Sequence, residues 1–149
     1  MKRFRFRLEP LLRYREFKER QAQQKLFQAQ TDLAESERRI LRGSELFSES
    51  TRQLDEKTGA GITMAEYRLH RGYLSGIERA LDMERRRRLK LIQTKEKRQQ
   101  ELAQKSKEKK LLEKLRDRKK EDYYQDVAEY LQKEIDDMVT VRKAREIVE

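Results

Sequence analysis

The stretch that decides the fold is Lys57-Thr58-Gly59-Ala60-Gly61-Ile62-Thr63-Met64-Ala65-Glu66-Tyr67. Two glycines flanking an alanine break any helix that reaches them, and residues 62–67 carry three helix-start signals at once. Thr63 suits an N-cap, Glu66 three residues later completes a capping box, and Ile62 with Tyr67 forms a hydrophobic staple. No comparable punctuation exists elsewhere. Residues 11–58 hold one glycine, Gly43, and no proline, and residues 77–149 hold neither. The pattern predicts helix one over about 10–57, a hinge over about 58–62 and helix two over about 64–146, within one coiled-coil hairpin spanning 1–149.

The composition agrees. Of 149 residues, 44% are charged and 35% hydrophobic, with one proline, five glycines and neither cysteine nor tryptophan. That apolar supply is too small for an ordinary globule, whereas Leu, Arg, Lys, Glu and Gln favour helix. No apolar run is long enough to span a bilayer. The basic opening Met1–Pro10 lacks the apolar core of a secretory signal.

Helix one carries a heptad. Position a reads Leu12, Glu19, Leu26, Leu33, Ile40, Phe47 and Leu54; position d reads Leu8, Arg15, Ala22, Ala29, Ser36, Gly43 and Ser50. Large residues on one side of a seam and small ones on the other predict a left-handed coiled coil in which the partner helix comes close. The short connection makes helix two that partner, running antiparallel. Pairing residues whose numbers sum to about 121 sets Leu54 on Tyr67, Phe47 on Leu74, Ile40 on Leu81 and Gly43 on Ile77. A register using Leu89 and Ile92 remains open. The fold class is all-α, an elongated antiparallel two-helix coiled coil with an overhanging C-terminal helix. Pro10 then pairs near residue 111. Beyond it Tyr124, Val127, Leu131, Ile135, Met138, Val141 and Val148 form a stripe without an intrachain partner, which an outside surface would have to cover.

Catalysis is not expected. The one histidine, His70, and the absent cysteines leave no Cys–His pair or His/Cys metal cluster, and no Lys-Ser/Thr follows Gly59-Ala60-Gly61 to make a phosphate cradle. No cofactor, metal or small-molecule substrate is implied. Charge is uneven. Residues 1–58 hold 14 Lys/Arg against 10 Asp/Glu, residues 85–120 hold 17 against 5, and residues 121–149 hold 4 against 9. Arg85, Arg86, Arg87 and Arg88 open the basic segment. Four consecutive arginines point four ways round a helix, and no aromatic lies between Arg85 and Lys120 to stack bases, so nucleic acid is a weaker reading than an acidic protein surface. A ribosome- or nucleic-acid-associated coiled coil and a homodimeric scaffold stay as alternatives.

At the N-terminus, Phe4-Arg5-Phe6-Arg7-Leu8-Glu9-Pro10-Leu11-Leu12-Arg13-Tyr14-Arg15-Glu16 resembles the opening of the FliJ family of flagellar type III export proteins. The Gln/Ala-rich first helix, the Gly-Ala-Gly-Ile-Thr hinge with Tyr67 and Tyr73-Leu74 after it, and the length are similar too. The resemblance implies a two-helix coiled coil like the central stalk of rotary ATPases. It also implies binding to the hexameric export ATPase FliI, to the export gate protein FlhA and to export chaperones. The expected location is cytoplasmic, peripheral to the inner membrane at the flagellar base through protein partners, with a monomer in isolation. The family's gate-contacting positions fall on Arg39, Gly43, Leu46, Ser50, Tyr73, Ile77, Ala80 and Glu84, of which Ile77 is also a seam residue. The ATPase-binding surface would be the termini end: Phe4, Phe6, Leu8, Tyr124, Val127, Leu131, Ile135 and Met138.

Overall fold

A computed structural model describes residues 2–148. The chain is all-α: helix α1 spans Glu9–Ala60 and helix α2 spans Met64–Val148, two long antiparallel helices packed as a hairpin coiled coil. It divides into two compact units, a loop unit of residues 21–103 and an end unit of residues 1–20 with 104–149.

In the loop unit α1 runs three residues past the expected stop. Thr58 Oγ1 donates to Leu54 O at 2.8 Å, and the turn closes when Gly61 adopts φ 94° and its N–H reaches Thr58 O at 3.2 Å. That left-handed conformation is the usual helix terminator and is open to glycine without strain. Gly59 is absorbed as an ordinary helical residue. Thr63 caps α2 as expected: the Glu66 N–H donates to Thr63 Oγ1 at 3.2 Å, and Tyr67 N–H to Thr63 O at 3.0 Å. Thr63→Ala should therefore lower stability by about 1 kcal/mol, measured by thermal melting, with helical content unchanged below the transition.

The seam of this unit runs through the small d residues. Ala22, Ala29 and Ser36 are buried, Ser36 to 1% exposure, and α2 contributes buried Leu74 and Leu81. The larger a residues Leu26, Leu33, Ile40 and Phe47 are only half-buried, and Leu54 alone of them is fully covered. Small side chains let α2 settle close on the d side, which leaves the a side at the margin of a thin two-helix interface. Gly43 shows the consequence. A Cβ built there would lie 2.6 Å from Leu81 Cδ2. Leu81 rather than Ile77 makes the nearest contact to Gly43. Ser36 Oγ donates to Glu84 Oε1 at 2.7 Å, satisfying the seam's one buried hydroxyl.

Two ion pairs cross the seam of the end unit. Arg15 Nη1 meets Glu108 Oε2 at 2.7 Å, and Lys109 Nζ meets Glu19 Oε1 at 3.1 Å. The Glu19 carboxylate holds the Lys109 ammonium above the ordinary lysine value. Leu12 is fully buried beside them, at 0% exposure. Residues 2–6 form an arm outside either helix that packs beside α2. The Phe4 and Tyr123 ring centroids are 5.6 Å apart, and the Tyr123 hydroxyl donates to the Lys2 carbonyl. Intrachain packing thus reaches residue 123 rather than stopping near 111. The stretch without a partner is residues 128–148, all exposed.

Candidate partner-binding surfaces

In the loop unit the eight family positions separate into an outer and an inner set. Leu46 and Tyr73 are exposed, Tyr73 to 54%. Arg39 is exposed and pairs with Glu35 at 2.6 Å. Ala80 is exposed and Ile77 half-buried. Gly43 lies beneath Leu81, and Glu84 is engaged by Ser36, so both belong to the hairpin's interior. Ser50 and Tyr73 line one shallow groove with Gln53, Arg68, Leu69, His70, Gly72 and Leu74. Half-buried His70 faces the groove's rim, where the Lys57 ammonium approaches its Nε2 at 3.4 Å.

Leu69, exposed to 76%, and Met83 were not among the sequence-derived positions, yet they share a helical face with Tyr73 and Ala80. Their spacing, 69, 73, 80 and 83, was readable. What the sequence could not tell was that the hairpin leaves this face open. Exposed apolar groups surrounded by charge are the kind of feature that can anchor a protein partner. Among the described residues no group of three His, Cys, Asp or Glu is placed to hold a metal ion.

In the end unit Leu131, Ile135, Met138 and Tyr124 are exposed on α2 and Val127 is half-buried. Ile135, Met138, Val139 and Val141 form an open apolar trough bordered by Asp137, Arg142 and Arg145. Phe4 and Phe6 are half-buried in the arm, while Leu8 is exposed. Tyr123, which the stripe reading passes over for Tyr124, is the residue that fixes the arm. The alternation Phe4, Phe6, Leu8 against Arg3, Arg5, Arg7 has the period of two of an extended segment with one covered face, and that was its available signal.

The four arginines do diverge. Arg88 reaches across to Glu37 at 3.3 Å, Arg85 pairs with Asp82 at 3.5 Å, and Arg86 and Arg87 are exposed and form no ion pair among the described residues.

Among the described residues no helix is long and apolar enough to cross a membrane. A search of curated proteins finds no match. Among solved structures, a chain described as a YscO homolog from Chlamydia trachomatis is similar at 20% identity with a TM-score of 0.44, over 93% of this chain and 94% of that one. The family described as flagellar FliJ protein matches residues 4–146, nearly the whole length. The chain belongs to the FliJ family, non-enzymatic coiled-coil components of flagellar type III protein export.

Proposed function

We propose that this chain is the stalk-like link of the export apparatus. It binds the export ATPase ring, FliI, through the end unit, it contacts the gate protein FlhA through the loop unit, and it also escorts export chaperones. Its place is the cytoplasmic side of the inner membrane at the flagellar base. The observation that carries this reading is the bare end of α2. Residues 128–148 continue as helix with no intrachain cover, yet Leu131, Ile135 and Met138 keep one face apolar. A helix end of that kind is stable only with something to pack against.

The chemistry of ATP hydrolysis belongs to the ATPase. This chain's part is binding free energy that differs between states of the ring. Tyr124, Val127, Leu131, Ile135 and Met138 make the ATPase-binding face, with Phe4, Phe6 and Leu8 of the arm bordering it. Leu46 and Tyr73 anchor the gate protein, with Arg39, Ile77 and Ala80 around them. Exposed, unpaired Arg86 and Arg87 steer the chain toward an acidic surface.

Tyr73→Ala separates the gate contact from the fold. Tyr73 is half outside the hairpin, so its loss should leave far-ultraviolet circular dichroism unchanged and the stability, from thermal melting, within about 0.5 kcal/mol of the parent. It should weaken FlhA binding by 2 kcal/mol or more, roughly thirtyfold, if Tyr73 is an anchor. A hairpin that unfolds in this variant, or full gate affinity in a folded one, counts against that surface.

A further inference from the structure

In the end unit, residues 104–120 hold nine Lys/Arg and three Asp/Glu, net +6, and the next seventeen residues, 121–137, hold one and seven, net −6. The ion pairs neutralise the positive stretch selectively. Lys105, Lys109 and Arg116 are paired with Glu108, with Glu19 and Glu113, and with Asp117. Lys107, Lys110, Lys114 and Arg118 are exposed and form no ion pair among the described residues. At about 100° per residue these four fall on one face of α2, in a row roughly 16 Å long. Leu111 stands among them, 60% exposed.

We infer that this face rests directly on an anionic lipid bilayer, so that the chain contacts the membrane itself as well as protein partners there. A straight row of like charges on one helical face matches a flat, evenly charged surface. Three of the four cations are lysines, point charges on long stems. Such stems can lie along the surface while Leu111 enters the boundary between headgroups and acyl chains. Nucleic acid offers Leu111 no apolar phase, and this face carries no aromatic to stack on a base. The contact is a surface one, since among the described residues no helix is long and apolar enough to cross the bilayer. The acidic stretch beyond is repelled by the same lipid charge. The bilayer therefore holds residues 107–118 and keeps the bare end of α2 off its surface, available to a protein. Each cation removed should lower partitioning about fivefold at low salt.

The chain has no tryptophan, so one introduced residue reports alone. Full-length Leu111→Trp and Ile135→Trp are mixed with vesicles of phosphatidylglycerol and phosphatidylcholine, and with phosphatidylcholine alone. The Leu111→Trp emission should shift to the blue with the anionic vesicles only, the shift should be lost in high salt, and Ile135→Trp should not respond. Adding Lys110→Glu and Lys114→Glu to Leu111→Trp should cut partitioning more than about tenfold. Lys90→Glu with Lys97→Glu, in the loop unit, should reduce it far less. Lys107→Gln with Lys114→Gln repeats the test with a milder change should the reversal disturb the helix. A shift at residue 135 instead of 111, equal loss from the Lys90 and Lys97 reversal, or no anionic-vesicle binding would overturn the inference. So would duplex RNA competing the chain off the vesicles at equal phosphate concentration.

Discussion

Leu81→Ala should lower the stability of the loop unit by about 2–4 kcal/mol, read from denaturant melts followed by circular dichroism. Leu81 is buried and its side chain lies over Gly43, so its truncation leaves a space in the seam. Phe47, which the heptad alone marks as the larger loss, is half-buried, so Phe47→Ala should cost less despite removing more atoms. The Gly43 layer offers a sharper check. In the parent, an alanine at position 43 would place its Cβ 2.6 Å from Leu81 Cδ2, so Leu81 must turn to admit it. That displacement offsets the gain of about 1 kcal/mol that alanine brings over glycine inside a helix. With Leu81→Ala the obstruction is gone, and Gly43→Ala should stabilise. The coupling between the two positions should be about 0.5–3 kcal/mol, favouring the double variant over the sum of the singles. Additive effects would mean that Leu81 does not lie over Gly43.

On the functional side, Leu131→Asp should weaken association with the export ATPase about tenfold to a hundredfold. That is the loss expected when one buried large apolar group, worth about 1.5–3 kcal/mol, is removed and a charge put in its place. The loss should appear as faster dissociation, because buried contact governs the lifetime of a complex. Reversing Arg86 and Arg87 should act differently, slowing association and flattening its dependence on salt, because unpaired exposed charges act at a distance. Surface plasmon resonance at several salt concentrations separates the two. Neither change should alter helical content, since Leu131, Arg86 and Arg87 are all exposed. If both variants changed only the association rate, the stripe would be a charge-steered encounter surface rather than a buried one.

What the sequence made legible was what local signals carry. The Thr63 cap needs only residues 62–67, and it stands where its spacing places it. The close seam follows from Ala22, Ala29, Ser36 and Gly43 recurring every seven residues: the first three are buried and Gly43 lies under Leu81. Apolar stripes repeat and so fit several alignments, and contacts across the seam such as Leu81 on Gly43, Ser36–Glu84, Arg15–Glu108 and Lys109–Glu19 are what distinguish them. The end of α1 was set early because Gly59 reads as a breaker, although only Gly61 takes a positive φ.

The candidate surfaces were half legible for the same reason. Leu46 and Tyr73 as open groups, and Gly43 and Glu84 as closed ones, are distinguished by which side of the wheel meets α2. That depends on the register. The arm on Tyr123 was missed because its pattern alternates by two while the helices around it repeat by seven. The family, in contrast, was visible in Phe4 to Glu16 and the hinge, and it extends over residues 4–146.

The most direct measurement is stimulation of the export ATPase. The full-length chain is compared with one ending at residue 127, and with the full-length chain carrying Leu131→Asp and Ile135→Asp together. Residues 128–148 make no cover for the rest of the fold, so the shortened chain should melt as the parent does. The full-length chain should promote ring assembly and raise turnover, and the other two should do neither. Equal stimulation by all three would contradict the bare end of α2 as the ATPase contact and with it the stalk mechanism proposed for this chain.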